Sequence, residues 1–273
     1  MRIAQFKEDG FVRVGLVEND RLIPLDFSGD MMDLIMRGGV EGIPLRSPRP
    51  LRDIKLIAVV SRPSKIIAIG LNYQDHVREG KMKVPEVPVL FSKFPSSLLG
   101  HGEKITWSRS VSQQVDFEAE LAVIMGKEAR DVREEDALGT VFGYTCGNDV
   151  SARDLQFGDG QWVRGKSLDT FCPLGPWIVT PQEIPDPHCL GIKSLVNGVT
   201  MQSSSTAELI FNVPFLISFL SRHFTLLPGD VILTGTPMGV GAFREPPQYL
   251  KNGDEIVVEI ERIGRLVNTC LVF

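Results

Sequence analysis

Acidic residues at alternate positions are the first sign of chemistry in this chain. In the segment Val115 to Leu121 (VDFEAEL), side chains two apart share a face of an extended backbone. Asp116, Glu118 and Glu120 therefore project together while Phe117, Ala119 and Leu121 pack inward. Such a face is either solvated or, where the strand enters the interior, in need of a cation. The apolar continuation LAVIMG favours the interior. Asp149, ending the run TVFGYTCGND, adds a carboxylate from a separate segment, its other reading being an N-cap for the helix-prone VSARDLQ. Glu118, Glu120 and Asp149 would make an all-oxygen donor set, the preference of hard Mg²⁺ or Mn²⁺ rather than Zn²⁺. Three protein ligands leave coordination sites free, and a 2-oxo acid offers its carboxylate and keto oxygen as a chelating pair.

A second group lies in Asn72-Tyr73-Gln74-Asp75-His76-Val77-Arg78-Glu79, after the apolar run KIIAIGL. His76 and Glu79 are three apart, so on one helical turn the carboxylate can hold the imidazole and raise its basicity. The pair is a candidate general base, against the plainer reading of a surface histidine in a loop. Asp75 faces elsewhere on that turn and receives no role.

The elements that must position these groups are mostly strands. Three short runs between Arg2 and Leu25, separated by Glu8-Asp9-Gly10 and Glu18-Asn19-Asp20, predict a small antiparallel meander. The stretch DMMDLIMRGG predicts a short helix stopped by Gly38 and Gly39, and the proline-rich IPLRSPRPLRD marks a boundary. This divides the chain into residues 1–56, a meander plus helix with its linker, and 57–273, a larger and mainly β unit. From Lys65 onward KIIAIGLNY, DFEAELAVIMG, TVFGYTCGND, PWIVT, LGIKSLVNG, DVILTG and EIVVEIERIGRLVNTCLVF alternate with Gly-, Pro- and Asp-bearing loops. Ser205 with Glu208 forms a capping-box pattern, and Pro214 opens a helical segment reaching about Arg222. The fold class is mainly β with a few helices (α+β), and the lack of regular strand–helix alternation argues against a doubly wound parallel sheet.

A net charge of −5 with no basic run argues against nucleic acid as a partner. The most apolar stretch, Leu209 to Leu220, is too short to span a bilayer and contains Pro214, and no secretion signal is visible at the N-terminus. Cys146, Cys172, Cys189 and Cys270 lie far apart without CxxC spacing, which predicts reduced core thiols in a cytoplasmic protein.

Five motifs carry a resemblance. NYQDHVRE, DFEAELAVIMG, GNDVSARDLQ, GKSLDTFCPLGPW and VILTGTPMGVG stand in the order found in the fumarylacetoacetate hydrolase family, which the chain resembles over about residues 65–273. Residues 1–56 are similar, more weakly, to the small N-terminal domain of many bacterial members. The resemblance implies a mixed β-sandwich roll and Mg²⁺ or Mn²⁺ held by Glu118, Glu120 and Asp149. It further implies a His76–Glu79 dyad on a mobile lid, Lys166 on an oxyanion or substrate carboxylate, and Gln156 donating to a developing oxyanion. Thr236, beside the backbone of Gly235, would bind the substrate carboxylate, and the usual assembly is a homodimer. These residue types suit an enolate, although Lys166 also reads as a surface lysine, Gln156 as the polar end of a helix and Thr236 as a turn residue. The loop Gly235 to Gly241 has GxxxGxG spacing and no following βαβ pattern, so it is not a dinucleotide fingerprint. His101 is read as a local substitution, His188 and His223 as loop or helix-end residues, and Arg153 and Asp154 as structural.

The expected activity is that of a Mg²⁺- or Mn²⁺-dependent hydrolase or lyase cleaving a C–C bond of a small 2-oxo acid. Acylpyruvate or fumarylpyruvate hydrolysis and oxaloacetate decarboxylation are the types that would proceed through a metal-bound enolate. In hydrolysis the His76–Glu79 pair activates water while Gln156 and Lys166 stabilise the oxyanion. The alternatives are an isomerase of 2-hydroxymuconate- or hydroxyheptadienedioate-type acids in aromatic catabolism, and a non-catalytic carboxylate-binding protein.

Overall fold

The computed structural model describes residues Met1–Phe273. Arg2–Glu8, Phe11–Glu18 and Arg21–Pro24 form the expected meander, and Asp30 caps helix Met31–Arg37 through a reciprocal box with Asp33. Gly38, in the left-handed region at φ +93°, ends that helix. The meander is hydrogen-bonded directly into the larger unit, because Arg2 and Ile3 pair with Val179 and Ile178 of strand Cys172–Val179. The proposed division at residue 56 thus lies beside a sheet that runs continuously through both parts.

That sheet has twelve strands and is mixed. From the meander it passes through Cys172–Val179, Val141–Asn148, Ala119–Met125, Val231–Leu233, Ile66–Gly70 and Val89–Lys93. A second sheet of five strands, Val199–Ser205, Gly191–Val196, Glu255–Ile260, Gly264–Val272 and Lys104–Trp107, packs against it. Strand parity shows how the layers form. Leu121, Val123 and Met125 join the core shared with Ile192, Val258 and helix Val213–His223. Their neighbours Ala122 and Ile124 join the opposite core, against Met31, Leu34 and Ile35 of the N-terminal helix. The result is the mainly β, α+β architecture expected from the motifs.

Several elements differ from the expectations. Ser205 caps only a short 3₁₀ turn, Thr206–Glu208, and Glu208 pairs with Arg78 at 3.0 Å. The longer helix has its own cap, Asn212, whose side chain accepts from Phe215 N–H, with Pro214 in the first turn. Val199–Ser205 is a full strand that none of the expected strand runs includes. Cys146, Cys172 and Cys270 are buried free thiols, whereas Cys189 is exposed and corrects the expectation that all four are core residues.

Candidate active site

The acidic segment is not one straight strand. Val115–Asp116 pairs with Ser151–Ala152, and a separate strand begins at Ala119. With the two-residue alternation broken at Phe117 and Glu118, Asp116 leaves the expected common face. Its oxygens accept from Gly241 and Ala242 N–H at 2.8 and 2.9 Å and from Arg153 at 2.9 Å. Glu118 and Glu120 meet Asp149 instead, because cross-strand hydrogen bonds hold the two segments together. Asp149 N–H donates to Glu118 O at 2.9 Å, Asn148 Oδ1 accepts from Glu118 N–H at 3.0 Å, and Ala119 pairs with Asn148. Carboxylate oxygens of Glu118, Glu120 and Asp149 lie within 4.8 Å of one another, and all three residues are buried. The N-cap reading of Asp149 fails, since the next helix starts at Arg153 with Ala152 at its cap.

Buried like charges this close demand compensation, and cations reach only part of the cluster. Lys166 Nζ lies 2.7 Å from Glu118 and 2.6 Å from Asp149. Lys93 Nζ is 2.5 Å from the other Asp149 oxygen, and Arg153 is 2.7 Å from Glu118. Against the burial that would raise it, Lys166 and Arg153 hold the Glu118 carboxyl down at about 2. Against the burial that would lower it, Asp149 and Glu118 hold the Lys166 ammonium above its ordinary range. Glu120 has no cationic partner; its one protein donor is Gly235 N–H at 2.7 Å. Burial first, then Asp149 and Glu118, push its carboxyl well above the usual range. A hard divalent cation fits this site on two grounds: the donors are all oxygen, and a buried carboxylate facing two others lacks a counter-charge.

The helix Gln74–Glu79 brings the predicted dyad over this cluster. His76 Nδ1 lies 3.5 Å from Glu79 Oε2, longer than an ordinary hydrogen bond, and the imidazole stacks on Phe243 with ring centres 5.3 Å apart. Glu79 accepts Gly239 N–H at 3.0 Å. Burial would raise its carboxyl, but His76 and the Gly239 amide overcome this and hold it below the usual range. Asp75, given no role from the sequence, is buried and accepts from Ser204 Oγ at 2.5 Å and Met238 N–H at 3.3 Å. Successive backbone amides between Gly235 and Ala242 thus collect Glu120, Asp75, Glu79 and Asp116. Gly239 makes this possible: it sits at φ +99°, and a Cβ there would lie 2.4 Å from Met201 O.

His76, Glu118, Glu120, Gln156, Lys166 and Thr236 line one cavity of about 110 Å³. Arg153, read from the sequence as structural, lines it as well. It donates to Gln156 Oε1 at 2.9 Å, and because a guanidinium can only donate, Gln156 must present its NH₂ group elsewhere. Asp154 is structural as expected, accepting from Ser112 Oγ at 2.7 Å. His101 lies apart from the cavity, its Nδ1 accepting from Val267 N–H at 3.2 Å. It lines a larger open cleft of about 810 Å³ with Arg21, Arg52, Trp177 and Arg265, which contains none of the predicted site residues. Sequence reasoning missed Lys93, Asp75 and the role of Arg153. A lysine ending the apolar run VLFSK was the available signal for the first.

The fold and site together define an enzyme built around a buried carboxylate cluster at the edge of a mixed β-sheet. Residues 65–271 match the family model described as fumarylacetoacetate (FAA) hydrolase, C-terminal. The chain belongs to the fumarylacetoacetate hydrolase family. A mitochondrial oxaloacetate tautomerase of Bos taurus is 48% identical over 221 residues, covering 80% of this chain and 70% of that one. The solved structure of a fumarylacetoacetate hydrolase from Exiguobacterium antarcticum is similar at 39% identity, TM-score 0.89 and full coverage of both chains. A 5-carboxymethyl-2-hydroxymuconate delta-isomerase from Mycobacterium smegmatis gives 36% identity, TM-score 0.84 and the same coverage.

Proposed function

We propose that this chain is a divalent-metal-dependent tautomerase that moves a proton between carbon and oxygen of a small 2-oxo dicarboxylic acid such as oxaloacetate. The observation that carries this reading is the cavity of about 110 Å³ in which His76, Gln156, Lys166 and Thr236 converge on the carboxylate cluster. The relative named an oxaloacetate tautomerase supports the same reading.

Glu118, Glu120 and Asp149 would hold Mg²⁺ or Mn²⁺. What the bound ion supplies is a grip on the 2-oxo carboxylate and charge withdrawal from the keto oxygen. Glu79 faces His76 Nδ1, which leaves Nε2 to take a proton from C3 of the acid. The electron pair of that C–H bond then moves toward the C2 oxygen, where Gln156 and Lys166 donate to the developing charge. Return of the proton to that oxygen completes the enol, and the reverse path regenerates the ketone. Thr236 and the Gly235 backbone position a carboxylate of the acid.

Cleavage of a C–C bond is the second reading, favoured by the intact His76–Glu79 pair, which could equally activate water. One experiment separates the two. With Mg²⁺ and oxaloacetate, the enol absorbance should decay faster than in buffer without matching pyruvate release, and His76→Ala should slow this by roughly a hundredfold or more. Acylpyruvate cleavage at a comparable rate would favour the second reading, and undiminished turnover by His76→Ala would remove the dyad from both. The cytoplasmic placement and the homodimer are kept as proposals, the former supported by four unpaired cysteines.

A further inference from the structure

Gln202 lies in strand Val199–Ser205 of the second sheet, is 1% exposed and is not among the residues lining the site cavity, yet it reaches the site from behind. Its Oε1 accepts Ala119 N–H at 2.9 Å, between the two glutamates of the cluster. Its Nε2 donates to Pro237 O and to Thr236 Oγ1, both at 2.8 Å. Two of these partners have fixed polarity: a backbone N–H only donates, and a carbonyl only accepts. The amide therefore cannot be flipped, and the Thr236 oxygen must be the acceptor of the third bond. A hydroxyl has a single hydrogen. With Gln202 as donor, that hydrogen has to leave along another direction, and the hydroxyl's one protein hydrogen bond is the one it accepts from Gln202.

Thr236 lines the cavity beside His76, Glu118, Glu120, Gln156 and Lys166. We infer that Gln202 is a positioning residue: it fixes Thr236 Oγ1 as an acceptor and so aims its one hydrogen into the cavity, at an anionic oxygen of the bound acid. The inference rests on the proposed reading of Thr236 as a carboxylate contact. It deepens that reading, because the donor character of the hydroxyl is imposed by a residue the ligand never touches. By tying Ala119 to Thr236 and Pro237, the same side chain also fixes the spacing between the carboxylate cluster and that hydroxyl.

The test is binding of oxalate, a dicarboxylate with the chelating pair of a 2-oxo acid, to the Mn²⁺-loaded protein by calorimetry, with Mn²⁺ affinity measured separately. Gln202→Glu is nearly isosteric but supplies at most one hydrogen where the amide supplies two. It should weaken oxalate binding roughly tenfold while Mn²⁺ affinity stays within about twofold, since it leaves the metal-facing carboxylates in place. Thr236→Val should lose the same contact, and the double variant should bind oxalate no worse than Thr236→Val alone. Thr236→Ser should stay within about twofold of the wild type, because Gln202 rather than the γ-methyl group aims the oxygen; this arm holds even if Gln202→Glu fails to fold. Independent, multiplying losses in the double variant, or a parallel fall in Mn²⁺ affinity, would overturn the inference. Unchanged oxalate binding by Gln202→Glu in a wild-type background that binds well would sink it alone. A wild type that takes up Mn²⁺ but no oxalate would sink the parent reading with it.

Discussion

Glu120 is the carboxylate of the cluster that forms no ion pair, and this makes its substitution informative in two opposite directions. Glu120→Gln keeps the shape and the Gly235 contact while fixing as neutral the one group whose charge burial, Asp149 and Glu118 already oppose. In chelator-treated protein this should be neutral or stabilising by about 1 kcal/mol, roughly 2 °C in Tm for a chain of this size. The same change should weaken Mn²⁺ binding at least tenfold, since one of the three oxygen ligands is lost. Thermal melts with and without Mn²⁺ check both signs, and a large loss of stability without metal would show that Glu120 is compensated after all. The cluster was legible from the apolar LAVIMG run that carries the acidic segment inward and from the order of the motifs, while residue type alone left a solvated face and an N-cap open. Asp116 was not separable from its neighbours, since only the break at Phe117 and Glu118 turns it toward Arg153 and the Gly241 amide. Lys93 and Arg153 escaped for a related reason: a lysine or arginine in a strand-rich sequence carries no mark of which carboxylate it will meet.

At the level of elements, the site is assembled by the loop 235–242, whose amides hold the helix Gln74–Glu79 in place through Asp75 and Glu79. Glu79's carboxyl is held below its ordinary value of 4.5 in the folded chain. Its docking therefore contributes fully above that value and is lost as pH falls through the lower folded-state value. Hydrogen exchange should show protection of the Gln74–Glu79 helix that persists down to about pH 5 and fades below 4.5, and Glu79→Gln should flatten that dependence. A helix equally protected at acid pH would show that Glu79 does not latch it. The strands of the catalytic sheet were readable from apolar runs, and the N-terminal helix from its caps. Val199–Ser205 was not, because its exposed and polar residues mask the pattern, although Asn197-Gly198 before it is a hairpin signal. Missing that strand meant missing Gln202.

Across the whole molecule, the large sheet buries one core against the second sheet and another against the N-terminal helix, while the site sits where strand Ala119–Met125, the end of Val141–Asn148 and the 235–242 loop meet. The chain carries a net charge of −5, so an anionic acid gains nothing from the overall field. Its capture has to come from local cations, and Lys93, Lys166 and Arg153 already serve Asp149, Glu118 and Asp116. A divalent ion at the cluster is what would reverse the local sign. The most direct measurement is calorimetric titration of Mn²⁺ into chelator-treated protein, followed by turnover of oxaloacetate in the same samples. The account predicts saturable uptake of a single ion per chain that restores turnover, and loss of both when Glu118, Glu120 and Asp149 are each replaced by alanine. Full turnover in the chelated protein, or undiminished Mn²⁺ uptake by the triple variant, would contradict it.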